Sequence, residues 1–169
     1  QTGQAVTAFV IDTGVMINHS DFGGRASNGY DFIDNDNVAQ DCNGHGTHVA
    51  GSIGGRTHGV AKNVTLVPVR VLSCSGSGSN SGVIAGLDWI LSPENPNSKT
   101  QAVLNLSIGG NASAAVNSAI LRLTNAGITV VAAAGTAAAV VAATIAAVTA
   151  AVAVVVSITV AAATVATAA

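Results

Sequence analysis

Charged side chains are scarce in this sequence, and the last of them, Arg122, lies well before its end. Lys, Arg, Asp and Glu make up 8% of the 169 residues, whereas ordinary soluble domains contain about 25%. The formal net charge is −2, so the chain lacks the basic excess with which proteins bind nucleic acids or anionic membrane surfaces. We therefore expect neither partner. The length fits one domain with its own hydrophobic core.

The segment from Thr136 to Ala169 lacks still more. It contains only Ala, Val, Thr, Ile and the single Ser157, without glycine, proline, leucine, asparagine or charge. Such a composition supplies neither turn residues nor a polar surface. Three interpretations are open: a membrane-spanning helix, for which the length suffices, a low-complexity structural tail, or a sequence-uncertain trace over 136–169. We favour the third, because these are the shapes assigned to a chain whose true side chains are unknown.

Before this segment, apolar β-branched runs alternate with stretches of helical periodicity. Strands are predicted over residues 6–11, 64–72, 102–108 and 128–134, and helices over 45–53, 80–91 and 112–125. Residues 28–40 predict a surface loop, and Pro68 is awkward inside its strand. The alternation predicts an α/β fold with three layers, a mostly parallel twisted sheet with helices on both faces. Sites in such sheets lie beyond the carboxyl ends of the strands.

An acid stands at one such position, and a histidine follows it at the start of a predicted helix. Asp12 ends the first strand in an Asp-Thr-Gly, and His45 lies 33 residues later at a glycine-rich entry to a helix. This is the order of the first two members of one form of the Asp–His–Ser charge system. The alternative for Asp12 is a carboxylate that only caps a turn. His48 follows on the same helix face, but no third soft ligand accompanies the pair, so we predict a buried, hydrogen-bonded packing residue rather than a metal ligand.

Six segments carry a resemblance to a known family. They cover residues 10–14, 41–51, 69–72, 75–78, 104–110 and 131–135, with the sequences VIDTG, DCNGHGTHVAG, VRVL, SGSG, LNLSIGG and VAAAG. In order and approximate spacing they resemble the subtilisin-like serine proteases (subtilases), most of all the proteinase K branch and its aqualysin-like bacterial members. The resemblance implies the subtilisin-like version of the predicted fold. It also implies that residues 1–169 form a single subtilase catalytic domain that is incomplete.

The resemblance assigns roles in catalysis. Asp12 would orient His45, and His45 would act as general base and then as general acid. The family's nucleophile segment, Gly-Thr-Ser-Met-Ala-Thr-Pro, does not occur in this sequence, so the serine remains unknown. Thr136 occupies the position of the family's asparagine, which donates to the oxyanion. The implied function is a secreted serine endopeptidase that hydrolyses peptide bonds through an acyl-enzyme. The alternative is a catalytically inactive subtilase-fold domain that binds or inhibits.

The resemblance also implies a substrate cleft and the partners that fit it. Glycines in two edge segments would leave backbone groups open to pair with an added peptide strand, and small residues would form the wall of a side-chain pocket. The residues concerned are Ser75, Gly76, Ser77, Gly78, Ser107, Ile108, Gly109, Ala133, Ala134 and Gly135. The expected partners are polypeptide substrates and protein protease inhibitors, and the expected protein is an extracellular monomer that needs no cofactor for catalysis.

Cysteines and aspartates suggest two stabilising features. Cys42 and Cys74 are the only cysteines, and the matching pair is bonded in the aqualysin-like branch; two free thiols are the alternative. Asp31, Asp36 and Asp41 lie in a segment rich in hard oxygen donors, which suits a structural Ca²⁺, although the EF-hand pattern is absent. A solvated acidic loop is the alternative for these aspartates.

Overall fold

A computed structural model describes residues 2–98 and 101–133. The strands are β1 (Val6–Asp12), β2 (Tyr30–Asp31), β3 (Thr65–Arg70), β4 (Gln101–Leu106) and β5 (Thr129–Ala132). The α-helices are α1 (His45–Gly54), α2 (Asn80–Leu91) and α3 (Ala114–Asn125), and a short 3-10 helix spans Ser20–Phe22. All strand pairs are parallel, in the order β2-β3-β1-β4-β5. The first strand therefore occupies the centre of the sheet.

The two faces of β1 pack against different helices. Phe9 and Ile11 belong to a core shared with α2 and α3, whereas Ala8 and Val10 belong to a core shared with α1. All four side chains are buried, as the period-2 alternation of a central strand requires. One helix therefore covers one face and two helices cover the other, which confirms the predicted three-layer α/β fold.

One strand was not predicted. β2 lies inside the segment 28–40, where the composition predicted only a loop. Its two residues pair with Val69 and Arg70 at the end of β3. The ring of Tyr30 packs at a tilt against those of Phe32 and Trp89, with centroids 4.7 Å and 6.0 Å away. A strand of two residues is too short to show a period, so only these tertiary contacts define it.

Pro68 fits inside β3 because its nitrogen, which has no hydrogen to donate, points away from β1. Leu66 N donates to Arg25 O on the outer side of β3, whereas Val71 N donates to Asp12 O on the side of β1. Backbone nitrogens alternate between the two sides along a strand, so the nitrogen of Pro68 points outward with that of Leu66. The ladder to β1 is therefore intact.

Within residues 2–98 and 101–133, no helix has the length and apolarity needed to cross a membrane. The segment Thr136–Ala169, for which a membrane helix was one interpretation, lies outside the described residues.

Candidate active site

The carboxyl ends of the strands open onto one cleft of about 610 Å³. β1 ends at Asp12, the chain after β3 forms the loop that contains Gly76–Gly78, and the chain after β4 supplies Ser107–Gly110. His45 stands at the edge of the cleft. Parallel topology thus collects segments from distant parts of the sequence along one edge of the sheet.

Asp12 and His45 form a hydrogen-bonded pair. His45 Nδ1 lies 2.8 Å from Asp12 Oδ1 and 2.9 Å from Oδ2. A carboxylate only accepts, so Nδ1 carries the proton and Nε2 is the ring nitrogen left for proton transfer. The Asp12 side chain is 0% exposed and that of His45 is 49% exposed. A buried carboxylate therefore orients a ring whose other edge reaches the cleft.

Burial raises the pKa of the Asp12 carboxyl above its ordinary value, although hydrogen bonds from His45 and from Thr13 N oppose the shift. Thr13 N donates to Asp12 Oδ1 over 2.7 Å. Few hydrogen-bond donors reach the Asp12 carboxylate to offset its desolvation, and one of them is the His45 imidazole. Its negative charge is therefore poorly screened by water and well placed to stabilise a protonated His45 ring.

The first turn of α1 lies directly against the end of β1. A Cβ at Gly46 would come within 2.1 Å of Gly14 O and 3.1 Å of Asp12 Cβ. Gly14 itself has φ of +102°, a left-handed conformation that favours glycine. The glycines of both motifs thus allow the contact through which His45 reaches Asp12.

Asp41 organises the approach to α1, which the sequence did not indicate. Its Oδ1 accepts from Thr13 Oγ1, Asn43 N and Gly44 N, each over 2.9 Å. Its Oδ2 accepts from Thr47 N over 3.0 Å and from Thr47 Oγ1 over 2.5 Å. Desolvation opposes ionisation, but these hydrogen bonds prevail and lower the pKa of Asp41. The predicted metal ligand Asp41 is therefore corrected to a structural acceptor, because protein donors occupy both of its oxygens.

Asp31, the second predicted metal ligand, is also engaged by protein groups. Its Oδ1 accepts from Ile33 N and Asp34 N, and its Oδ2 accepts from Arg70 over 2.6 Å. Asp36 pairs with Asp31 through the backbone. Within the described residues no three His, Cys, Asp or Glu side chains are placed to hold a metal. The three predicted carboxylates do not converge, because Asp31 faces a buried cation and Asp41 faces α1.

Cys42 and Cys74 form a disulfide, with Cα atoms 5.0 Å apart, inside the range of about 4.4–6.8 Å that disulfides usually span. It joins the loop before His45 to the loop after β3. Asn43 strengthens the same junction, since its Nδ2 donates to Cys74 O over 2.8 Å and its Oδ1 accepts from His45 N over 3.2 Å. The histidine and one edge of the cleft are therefore tied together.

Arg70 lies beneath this junction with 7% of its side chain exposed. Its guanidinium contacts Asp31 and Asp34, and it lies 3.3 Å and 3.6 Å from the two disulfide sulfurs. Burial disfavours the charged form, but hydrogen bonds to Asp31 and Asp34 raise the pKa of Arg70 above its ordinary value. Nothing in a single sequence links Arg70 to partners 28 to 39 positions away.

Most of the predicted substrate-binding residues line the cleft. These are Gly76, Gly78, Ser77, Ser107, Ile108, Gly109 and Ala133. Ser75 does not line it, and its hydroxyl lies 2.8 Å from that of Ser73. Ala134, Gly135 and Thr136 lie outside the described residues.

His48 is exposed, so the prediction that it is buried was wrong. It lines a second cavity with His19 and His58. The reason is the helix geometry, because the buried Gly46 and Ala50 mark the face of α1 that meets β1, and His48, two positions from each, points to the opposite side at about 100° per residue.

Comparisons with known proteins agree with this geometry. The profile of the Subtilase family matches residues 3–169. The extracellular serine proteinase of Thermus sp. (strain Rt41A) is 59% identical over 134 residues, which are 79% of this chain and 32% of that protein. Alkaline serine exoprotease A of Vibrio alginolyticus is 58% identical over 135 residues, 80% of this chain and 24% of that protein.

Solved structures lead to the same family. The crystal structure of a cold adapted subtilisin-like serine proteinase matches with a TM-score of 0.73 and 54% identity, over 79% of this chain and 47% of that one. The chain thus spans about a third or less of the length of these curated relatives. Because the family profile covers nearly all of the sequence, the chain belongs to the subtilase family of subtilisin-like serine proteases.

Proposed function

We propose that the protein containing this chain is a serine endopeptidase that hydrolyses peptide bonds through an acyl-enzyme, with Asp12 and His45 as two members of its catalytic triad. The observation that carries the proposal is the pair itself. A buried carboxylate holds Nδ1 of a half-exposed histidine at the edge of a cleft that contains open backbone segments. A histidine held in this way is arranged for proton transfer at Nε2.

In the proposed reaction, His45 Nε2 takes the proton of a serine hydroxyl as that oxygen attacks the carbonyl carbon of the substrate. The resulting imidazolium is stabilised by Asp12 and then gives its proton to the leaving amine. Water repeats the cycle to release the acid product and restore the serine. Thr136, where the oxyanion donor is expected, lies outside the described residues, and we propose that the full-length protein supplies this donor and the serine, which the sequence leaves unidentified.

The substrate is proposed to be an extended polypeptide. Gly76–Gly78 and Ser107–Gly109 border the cleft from two sides, and an extended chain between them could pair with exposed backbone groups as an added strand. Ala133 at the cleft wall is small, which favours broad acceptance of side chains before the cleaved bond. Protein protease inhibitors would enter the same cleft.

Covalent labelling of the full-length protein with a sulfonyl fluoride or an organophosphate tests this function. We expect one adduct per molecule, on a serine that follows Gly135, together with loss of peptide hydrolysis. His45→Gln should reduce kcat by about 10⁶, and Asp12→Asn should reduce it by about 10⁴. His48→Gln is the matched control, because it changes an exposed histidine on the same helix and should act as wild type.

Absence of both adduct and hydrolysis in the folded, full-length protein would overturn the proposal in favour of the inactive binding or inhibitory domain. Equal losses from the two histidine substitutions would also contradict it, because the geometry distinguishes them.

We further propose that the protein is secreted and acts as a monomer, and that residues 1–169 are part of one catalytic domain. The relatives described above include an extracellular proteinase and an exoprotease, and a disulfide bond suits an oxidising environment. Activity should therefore appear in the medium of producing cells, and gel filtration should give the mass of one chain.

A further inference from the structure

One buried hydroxyl connects the two halves of the Asp12–His45 pair. Thr13 is 1% exposed. Its Oγ1 donates to Asp41 Oδ1 over 2.9 Å and accepts from Gly46 N over 3.0 Å. Thr13 follows Asp12 in the sequence, and Gly46 follows His45. The hydroxyl therefore joins the residue after the acid to the residue after the base.

Asp41 determines the direction of this hydroxyl. An ionised carboxylate can only accept, so the Thr13 proton must point to Asp41 and the oxygen lone pairs remain for Gly46 N–H. The lowered pKa of Asp41 agrees with an ionised side chain. Its other contacts, to the backbone of Asn43 and to Thr47, keep the carboxylate in place. The hydroxyl is thus oriented by a residue that does not touch the catalytic pair.

We infer that Thr13 is a positioning residue, oriented by Asp41, that sets the register of the first turn of α1 against the end of β1 and so the distance between His45 and Asp12. The inference rests on the proposed function for its catalytic consequence. It is separate from the backbone bond of Thr13 N to Asp12, which any residue at that position could make. Only the side chain reaches Gly46 and Asp41.

Substitutions at two positions distinguish positioning from packing. Thr13→Val keeps the shape but removes both hydrogen bonds, and it leaves the buried Gly46 N–H without its acceptor. Thr13→Ser restores the hydroxyl. Asp41→Ala removes the acceptor that orients the Thr13 hydroxyl. Asp41→Asn keeps one side-chain oxygen that can accept from Thr13 and loses mainly the hydrogen bond from Thr47 N.

The experiment measures kcat, KM and the far-downfield proton NMR signal of His45 Nδ1–H in full-length protein. In Thr13→Val and Asp41→Ala we expect kcat to fall about 10- to 100-fold, because a displacement of about 1 Å can cost 10² in rate. KM should change little, and the Nδ1–H signal should shift or broaden. Thr13→Ser should recover most of kcat and the wild-type signal, and Asp41→Asn should lose less than Asp41→Ala. The double variant Thr13→Val/Asp41→Ala should be no worse than its worse parent, because both disrupt one linkage.

Several results would overturn the inference. One is a Thr13→Val protein with wild-type kcat and an unchanged Nδ1–H signal. Another is a Thr13→Ser protein that does not recover kcat, and a third is a double variant whose loss of kcat equals the product of the two single losses. If Thr13→Val does not fold, the comparison of Asp41→Ala with Asp41→Asn decides by the same readouts. A wild type that shows the Nδ1–H signal but neither hydrolysis nor covalent labelling would refute the proposed function alone, since the NMR comparison between variants would still test the positioning.

Discussion

Replacement of Gly46 by alanine should separate His45 from Asp12, the proposed catalytic pair. The new Cβ would lie 2.1 Å from Gly14 O, whereas real Cβ atoms essentially never come within 3.0 Å of another heavy atom. The obstacle is a backbone oxygen in the Asp12-Thr13-Gly14 turn, which cannot rotate away as a side chain could. α1 and β1 must therefore move apart by about 0.9 Å or more to relieve the contact.

This movement is large compared with the tolerance of the hydrogen bond. His45 Nδ1 lies 2.8 Å from Asp12 Oδ1, and a displacement of the helix along that direction would bring the separation to about 3.7 Å, beyond a hydrogen bond. We expect kcat/KM to fall by about 10² or more, and the free energy of unfolding to fall by about 1–3 kcal/mol from overpacking.

Gly51→Ala is the matched control. It makes the same substitution in the same helix, but a Cβ there would meet no atom within 4 Å. Alanine should raise the free energy of unfolding by up to about 1 kcal/mol and leave kcat/KM unchanged. Peptide hydrolysis and urea unfolding of both variants test the argument. Wild-type activity and stability in Gly46→Ala would refute it, because α1 would then be free to move without effect on the pair.

Three further predictions concern the surroundings of the site. Reduction of the Cys42–Cys74 disulfide, or replacement of both cysteines by serine, should lower the free energy of unfolding by about 3–4 kcal/mol, given the 32-residue separation; an unchanged urea midpoint would contradict this. Arg70→Met should cost about 3–5 kcal/mol, because it leaves a buried carboxylate without its cation. Arg122→Gln, which breaks an ion pair with both side chains about half exposed, should change stability by less than about 1 kcal/mol in the same assay. Folding lowers the pKa of Asp41 below its ordinary value of 3.8. The ionised carboxylate therefore stabilises the folded state at pH values above 3.8, and this stabilisation is lost as the pH falls through the lowered pKa. Wild type should therefore be more stable than Asp41→Asn near neutrality, and this difference should disappear in acid; a difference independent of pH would show that the charge is not its source.

Local patterns in the sequence determined the order of the main elements and the candidate pair of Asp12 and His45. The apolar run that ends at Asp12 and the glycine-rich entry at His45 are both short, contiguous signals. Parallel topology then requires strand ends to share one edge of the sheet, which is why the loops after β3 and β4 were expected at the cleft. The disulfide partners came from the resemblance to the subtilases, because spacing alone does not define a pairing.

Tertiary structure alone decided the roles of Asp41, Thr13, Arg70 and His48. The aspartate composition of residues 31–41 predicts oxygen-rich surroundings but not which donors reach each carboxylate. The Thr13 hydroxyl reaches Asp41 across 28 positions, and Arg70 reaches Asp31 across 39. Such contacts arise from packing of α1 and β3 against their neighbours, and they leave no periodic or local signal. The physical reason is that hydrogen bonds of buried side chains are decided by which groups the fold brings within about 3 Å of one another.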